Sequence, residues 1–127
     1  MIYLHKHQLL KLHNQIINEF GGIHGVRDER MLDSALANPL QTFAGHDLYP
    51  TCIDKATQLC YGLIKNHPFL DGNKRIGLHS SLILCHINGL KIEITHEDLT
   101  DIIFKVADST FSYQELLLIL KEKIKEA

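Results

Sequence analysis

The sequence predicts an all-α domain, a compact bundle of about six helices around one buried central helix, with at most a minor short strand pair. Three observations predict it. Apolar residues recur at three- and four-residue spacing along most of the 127 positions. The segments so marked are bounded by Gly, Pro or Ser/Thr/Asp caps. One of them, from Gly72 to Asn88, is apolar around nearly its whole circumference, as a helix enclosed by others must be. The length fits a single domain over 1–127, because two separate cores would each fall near the size at which burial becomes marginal.

The first helix spans Lys6 to Phe20, where Leu9, Leu12, Ile16 and Phe20 share a face, and Gly21-Gly22 stops it. Asp28 caps a second helix through Leu36, which ends near Asn38 because Pro39 disfavours helical geometry in the residue before it. Residues 39–50 read as loop, with Phe43, His46 and Tyr49 serving either a target-docking flap or an ordinary surface. Thr51 and Asp54 open a third helix, whose apolar face is Ile53, Ala56, Cys60, Leu63 and Ile64. Pro68 pushes His67 out of the α region and ends that helix there, while Phe69 anchors the following loop inward.

The central helix runs from Gly72 or Asn73 to Asn88, with Gly89 as its stop and Ile76, Leu78, Leu82, Ile83, Leu84, Cys85 and Ile87 around it. Leu90 to Ile94 alternates like a short strand. Thr95-His96-Glu97-Asp98 starts a helix of about ten residues, and Ser112-Tyr113-Gln114-Glu115 is a capping box for the last, through Lys125.

Composition narrows the function. With 45% hydrophobic and 22% charged residues the chain is ordinary globular material. Its net charge of −2, pI of about 6.5 and scattered Lys and Arg leave no basic face for direct nucleic-acid binding. Cys52, Cys60 and Cys85 form no C-x-x-C pair, which excludes a disulfide framework and suits a reducing cytoplasm. Neither an export signal nor an apolar run of membrane-spanning length is expected.

The chemistry concentrates in His67-Pro68-Phe69-Leu70-Asp71-Gly72-Asn73-Lys74-Arg75. A helix beginning at Gly72-Asn73 presents unpaired N–H groups and a positive dipole end, an anion site that Gly72 lets a phosphate approach closely. Lys74 adds a point charge, Arg75 a planar fork and Asn73 a neutral donor. Asp71, just before this turn, is a carboxylate placed to hold Mg2+ against phosphate oxygens. His67 is an imidazole placed to take a hydroxyl proton as general base. Taken singly, a histidine at a helix end is more often structural and Asp-Gly-Asn is usually a turn. Their combination within nine residues points to transfer of a phosphate-containing group from a nucleotide to a hydroxyl.

These residues resemble the signature of the Fic/Doc superfamily, H-P-F-x-(D/E)-(G/A)-N-(G/K)-R, matching all eight specified positions of nine. The flanking Gly21-Gly22-Ile23-His24-Gly25-Val26-Arg27-Asp28-Glu29 and Asn88-Gly89 are similar to the Doc (death-on-curing) toxin branch. The majority Fic branch has Gly where Lys74 stands and a second Arg where Leu78 stands, and it transfers AMP. The Doc branch has Lys and is thought to bind its nucleotide reversed, so the resemblance implies a protein kinase that transfers the terminal phosphate of ATP. By the same resemblance His67 is the base, Asp71 the Mg2+ ligand, and Gly72, Asn73, Lys74 and Arg75 the phosphate cradle. It further implies a type II toxin whose substrate is a threonine of elongation factor Tu, whose action blocks translation, and whose inhibitor is a Phd-like antitoxin. The internal inhibitory motif (S/T)-x-x-x-E-(G/N) of some Fic proteins is absent from the sequence, consistent with control in trans. AMP or other nucleotidyl transfer, and a catalytically silent module acting through a partner, are the alternatives.

Other signals are weaker. Gly72 to Gly77 has P-loop spacing, but Leu78-His79 stands where Lys-Ser/Thr is required. Gly22-Ile23-His24-Gly25 resembles an RNA-clamping G-x-x-G only in spacing and reads as a helix stop and turn. The nine histidines include no H-E-x-x-H. His5, His7, His13, His24, His46 and His96 read as surface or loop residues; His79 and His86 read as hydrogen-bonded packing residues, with His79 bordering the site.

Overall fold

The computed structural model describes residues 1–106 and 111–126. In chain order the elements are α1 (Lys6–Phe20), α2 (Glu29–Ala37), a 3-10 turn (Asn38–Leu40), β1 (Thr42–Phe43), β2 (His46–Asp47), α3 (Cys52–Asn66), α4 (Asn73–Ile87), β3 (Lys91–Ile92), α5 (His96–Lys105), α6 (Tyr113–Lys123) and β4 (Ile124–Lys125). The six helices carry the fold, and the expected caps start four of them. The Asp28 carboxylate accepts the Met31 N–H at 3.1 Å. Thr51 and Asp54, Thr95 and Asp98, and Ser112 and Glu115 form reciprocal boxes with contacts of 3.0–3.3 Å. Each such cap stabilises its helix by about 1 kcal/mol.

Helices α3 and α4 run antiparallel through the middle. Gly77 makes this possible: a Cβ there would lie 3.0 Å from the Cys60 carbonyl oxygen, so only glycine lets the two backbones approach this closely. Around α4, Ile76, Leu78, Leu84 and Cys85 are buried, as are Ser80 and Ser81, whose hydroxyls donate to the Gly77 and Leu78 carbonyls at 3.2 and 2.7 Å. The burial stops at Cys85, and the last two residues of the helix, His86 and Ile87, are exposed. The packing role expected for His86 is therefore corrected, because position 86 has turned to solvent.

The remaining helices enclose this pair. Ala35 of α2 sits against Gly62 of α3, and Tyr113 of α6 donates from its hydroxyl to the Asp54 carbonyl at 3.3 Å. Lys6 of α1 bridges Glu29 and Asp33 of α2 at 2.6 and 2.8 Å. Among the described residues, no helix is long and apolar enough to cross a membrane.

Three local expectations change. Residues 39–50 are more ordered than a loop: they form the 3-10 turn and the β1–β2 hairpin, whose Ala44-Gly45 turn has positive φ at both residues. Buried Lys55 holds this segment to α3 through the Asp47 carboxylate at 3.2 Å and the Tyr49 carbonyl. The last helix ends at Lys123, not Lys125, and Ile124–Lys125 pairs antiparallel with Lys91–Ile92. That extended ending buries Ile124 and supplies the strand β3 with a partner, so the described residues hold two minor strand pairs where at most one was expected.

Candidate active site

The segment between α3 and α4 is held by its backbone, which leaves its side chains available. The Arg27 and Asp28 N–H groups both donate to the Pro68 carbonyl, at 2.7 and 3.0 Å, and the Leu70 N–H donates to the Gly25 carbonyl at 3.0 Å. Val26 bridges Phe69 across the same short pairing. The Arg27 guanidinium donates to the carbonyls of His67 at 2.7 Å and Asn66 at 2.9 Å, the otherwise unpaired end of α3. His67 leaves the right-handed helical region, as Pro68 requires, but takes the left-handed one (φ 51, ψ 52) instead of an extended geometry. A left-handed non-glycine residue costs about 1–2 kcal/mol, and the Arg27 clamp holds it there.

Beneath the loop, Phe69 is 1% exposed and lies flat against His13. His13 Nε2 is 2.8 Å from the Asp71 carbonyl oxygen, which only accepts, so this nitrogen carries the proton. Burial lowers the His13 pKa, which favours the neutral ring in that role. The reading of His13 as a surface residue is overturned: it is 1% exposed, in the inward row of α1 that contains Leu9 and Ile17.

Asn73, 3% exposed, spans both polar groups of Phe69, accepting its N–H and donating to its carbonyl at 3.0 Å each. Its side chain thus shapes the loop, and its backbone N–H is the donor left for an anion. Gly72, the N-cap of α4, is left-handed (φ 77) and gives no side-chain cap, so the N–H groups of Asn73, Lys74 and Arg75 have no intrahelical acceptor. The Asp71 carboxylate accepts from the Ile23 N–H at 3.2 Å and the Gly72 N–H at 3.1 Å. Both bonds orient it while leaving lone pairs for a cation.

His67, Asp71, Gly72, Asn73, Lys74 and Arg75 all line one open cleft of about 250 Å³, together with Ile16, Ile17 and Phe20 of α1 and Ile103 of α5. The Arg75 guanidinium carbon sits 4.0 Å from the Phe20 ring centre, a cation–π contact that stiffens the fork. Beyond Arg75 lies another cleft of about 230 Å³, lined by His79, His96 and Glu19 as well as Arg75 and Phe20, and it is this cleft, not the first, that His79 lines. Burial, then the neighbouring Arg75 charge, lowers the His79 pKa.

The donor set fits a nucleotide phosphate: three helix-start N–H groups and two cations face one concave wall. Among the described residues no group of three or more His, Cys, Asp or Glu is placed to hold a metal together. The Asp71 carboxylate, with lone pairs left over, could supply one ligand to a divalent ion whose others would come from phosphate and water. Sequence reasoning missed His13 and Arg27 as loop supports. The spacing of four from Leu9 to His13 signals the first; nothing local signals the second, whose partners lie about forty residues away.

The chain is 44% identical over 73 residues to the toxin Doc of Mycolicibacterium smegmatis (strain ATCC 700084 / mc(2)155), covering 58% of this chain and 56% of that protein. It is 24% identical over 92 residues to the protein kinase doc of Escherichia phage P1, covering 72% of each. The match thus spans little more than half the length of the first relative. The Fic/DOC family model matches residues 3–85, a span that takes in α1, the Arg27 clamp and the whole segment from His67 to Arg75. The chain belongs to the Fic/DOC family.

Proposed function

We propose that this cleft transfers the terminal phosphate of ATP to a protein hydroxyl, as a Doc-like toxin kinase. The observation that carries the reading is the convergence of His67, Asp71, Lys74, Arg75 and the uncapped start of α4 on one wall. Bound Mg2+ and ATP would supply a charge-neutralised, transferable phosphoryl group.

The protein's own part is positioning and proton transfer. The exposed His67 ring is placed at the cleft rim to take the proton of an acceptor hydroxyl at an imidazole nitrogen. Lys74 and Arg75, with the N–H groups of Asn73 to Arg75, hold phosphate oxygens. Asp71, fixed by two backbone donors, holds Mg2+.

Terminal-phosphate transfer is favoured over AMP transfer by two positions. Lys74 lines the cleft at the position where the other branch has glycine, and Leu78, 1% exposed in the core, offers no second cation. The substrate proposed is a threonine of elongation factor Tu, with arrest of translation as the outcome. Silencing by a Phd-like antitoxin in trans completes the reading, on the strength of the toxin Doc likeness.

The test incubates the purified chain with Mg2+, ATP and a cell extract and reads the mass added to modified proteins. A phosphate increment on elongation factor Tu is expected. An adenylyl increment would assign the cleft to AMP transfer, and no increment at all would leave it without the proposed chemistry.

A further inference from the structure

The turn between α1 and α2 contains Gly21, Gly22 and Gly25, all at positive φ, so its backbone is free to move unless something ties it. Its apolar residue does not, because Ile23 is 63% exposed. Yet the turn has a definite task. The Ile23 N–H donates to Asp71 Oδ2 at 3.2 Å from 48 positions away, whereas Asp71 Oδ1 takes its bond from the adjacent Gly72. Gly72 moves with Asp71, so it is the distant donor that fixes how the carboxylate is turned.

His24 supplies the tie. Its Nδ1 lies 3.1 Å from Asn14 Oδ1 and its Nε2 2.9 Å from Asn18 Oδ1. Asn14 and Asn18 are one turn apart on the exposed side of α1, so a single imidazole spans two successive turns of that helix. A neutral ring keeps both bonds, because one amide presents its oxygen to the protonated nitrogen and the other turns its NH2 to the bare one. Glycine has no side chain and isoleucine no polar atom, so within residues 21–25 the side-chain hydrogen bonds belong to His24. The residue beside Asn14 acts on the same target, since His13 holds the Asp71 carbonyl at 2.8 Å. Helix α1 therefore reaches Asp71 twice, at its backbone through His13 and at its carboxylate through His24 and Ile23.

We infer that His24 is a positioning residue for the Asp71 carboxylate: by strapping the 21–25 turn to α1 it keeps the Ile23 N–H on Oδ2 and presets that carboxylate for a divalent cation. The inference rests on the proposed reading of Asp71 as the Mg2+ ligand. His24 is not part of the cleft wall, and its effect passes through a backbone N–H. Without the strap the carboxylate turns among rotamers, and each binding event has to order it again.

The first measurement needs no metal: the amide exchange of Ile23 in the full chain, read by NMR. His24→Ala should speed it about three- to tenfold, the weight of one modest hydrogen bond. The double variant Asn14→Ala/Asn18→Ala should do the same, and adding His24→Ala to it should change nothing more, because ring and amides are two halves of one contact. The second measurement titrates the Mn2+–ADP complex into each chain and follows water-proton relaxation, with Asp71→Asn as reference. Affinity should fall by a similar factor in His24→Ala and in the asparagine pair, with amide exchange in α3 and α4 unmoved. Unchanged Ile23 exchange in His24→Ala, or a further acceleration when it is added to the asparagine pair, would overturn the strap. If Ile23 exchange quickens and Asp71→Asn weakens Mn2+–ADP binding but His24→Ala does not, the positioning role is wrong and the metal ligand stands. Affinity indifferent to Asp71→Asn would remove the metal reading itself, and the inference with it.

Discussion

The rings of His13 and Phe69 lie face to face, centroids 3.8 Å apart and planes within 10° of parallel, while His13 also holds the Asp71 carbonyl. One buried side chain of α1 thus fixes two residues of the segment between α3 and α4. Replacing it with alanine removes a stacking partner, a hydrogen bond and core volume together. His13→Ala should lose about 3 kcal/mol in urea unfolding, and an unchanged midpoint would show that the loop is held without it.

The pH dependence of stability follows from the same residue. Burial lowers the His13 and His79 pKa values, so the unfolded chain, titrating near about 6.5, binds these protons more readily than the folded one. Stability is therefore at its full value above that pH and declines as pH falls from there toward the lowered folded values. Urea midpoints at pH 8 and 5.5 check the sign. His13→Gln, which keeps a donor but does not titrate, should flatten the His13 share of the decline.

Arg27 acts on the loop from the other side. Arg27→Ala removes two charge-assisted bonds to the Asn66 and His67 carbonyls and should cost about 1–3 kcal/mol. Arg27→Lys should recover little, because an ammonium cannot place two planar N–H groups on adjacent carbonyls. If lysine restores the full unfolding midpoint, the fork geometry is irrelevant.

The helices were legible in the sequence because each has its own local signals: caps at Asp28, Thr51, Thr95 and Ser112, and stops at Gly21 and Pro68. The six residues placed on the cleft wall were legible for a related reason, since all lie within nine consecutive positions. What escaped is what needs two distant segments. The β3–β4 pair joins residues more than thirty positions apart; Leu90 to Ile94 alternates as a strand does, but Ile124–Lys125 reads locally as the end of the last helix. His13 meets Asp71 across 58 positions, and its inward face showed only as a gap in an apolar stripe that a histidine could fill. Asn73 illustrates a different gap: the sequence shows a donor, but only packing shows that Phe69 has taken its side chain.

His67 separates chemistry from stability. Its ring is exposed, so His67→Ala should shift unfolding by no more than about 0.5 kcal/mol while lowering transfer by about 10²- to 10⁴-fold. Lys74→Gly should weaken phosphate transfer as well, through loss of a cradle charge. Mass spectrometry of the modified substrate reads both; transfer retained in His67→Ala would remove the proposed base.

Gly22 controls the carboxylate at a distance of one atom. Its φ of 120° is in the region that side chains avoid, and a Cβ there would lie 2.8 Å from Asp71 Oδ2 and 3.1 Å from Ile17 Cδ1. Gly22→Ala must therefore move either the Gly21–Ile23 turn or the carboxylate, and both routes break the Ile23 N–H bond to Asp71. With the carboxylate no longer oriented, the Mg2+ concentration giving half-maximal transfer should rise several-fold, while His67 and the cradle stay in place. Magnesium titration of the phosphate-transfer rate measures this. A lowered rate at saturating Mg2+ with the half-maximal concentration unchanged would mean that Gly22 serves the loop's shape and that Asp71 is not the metal ligand.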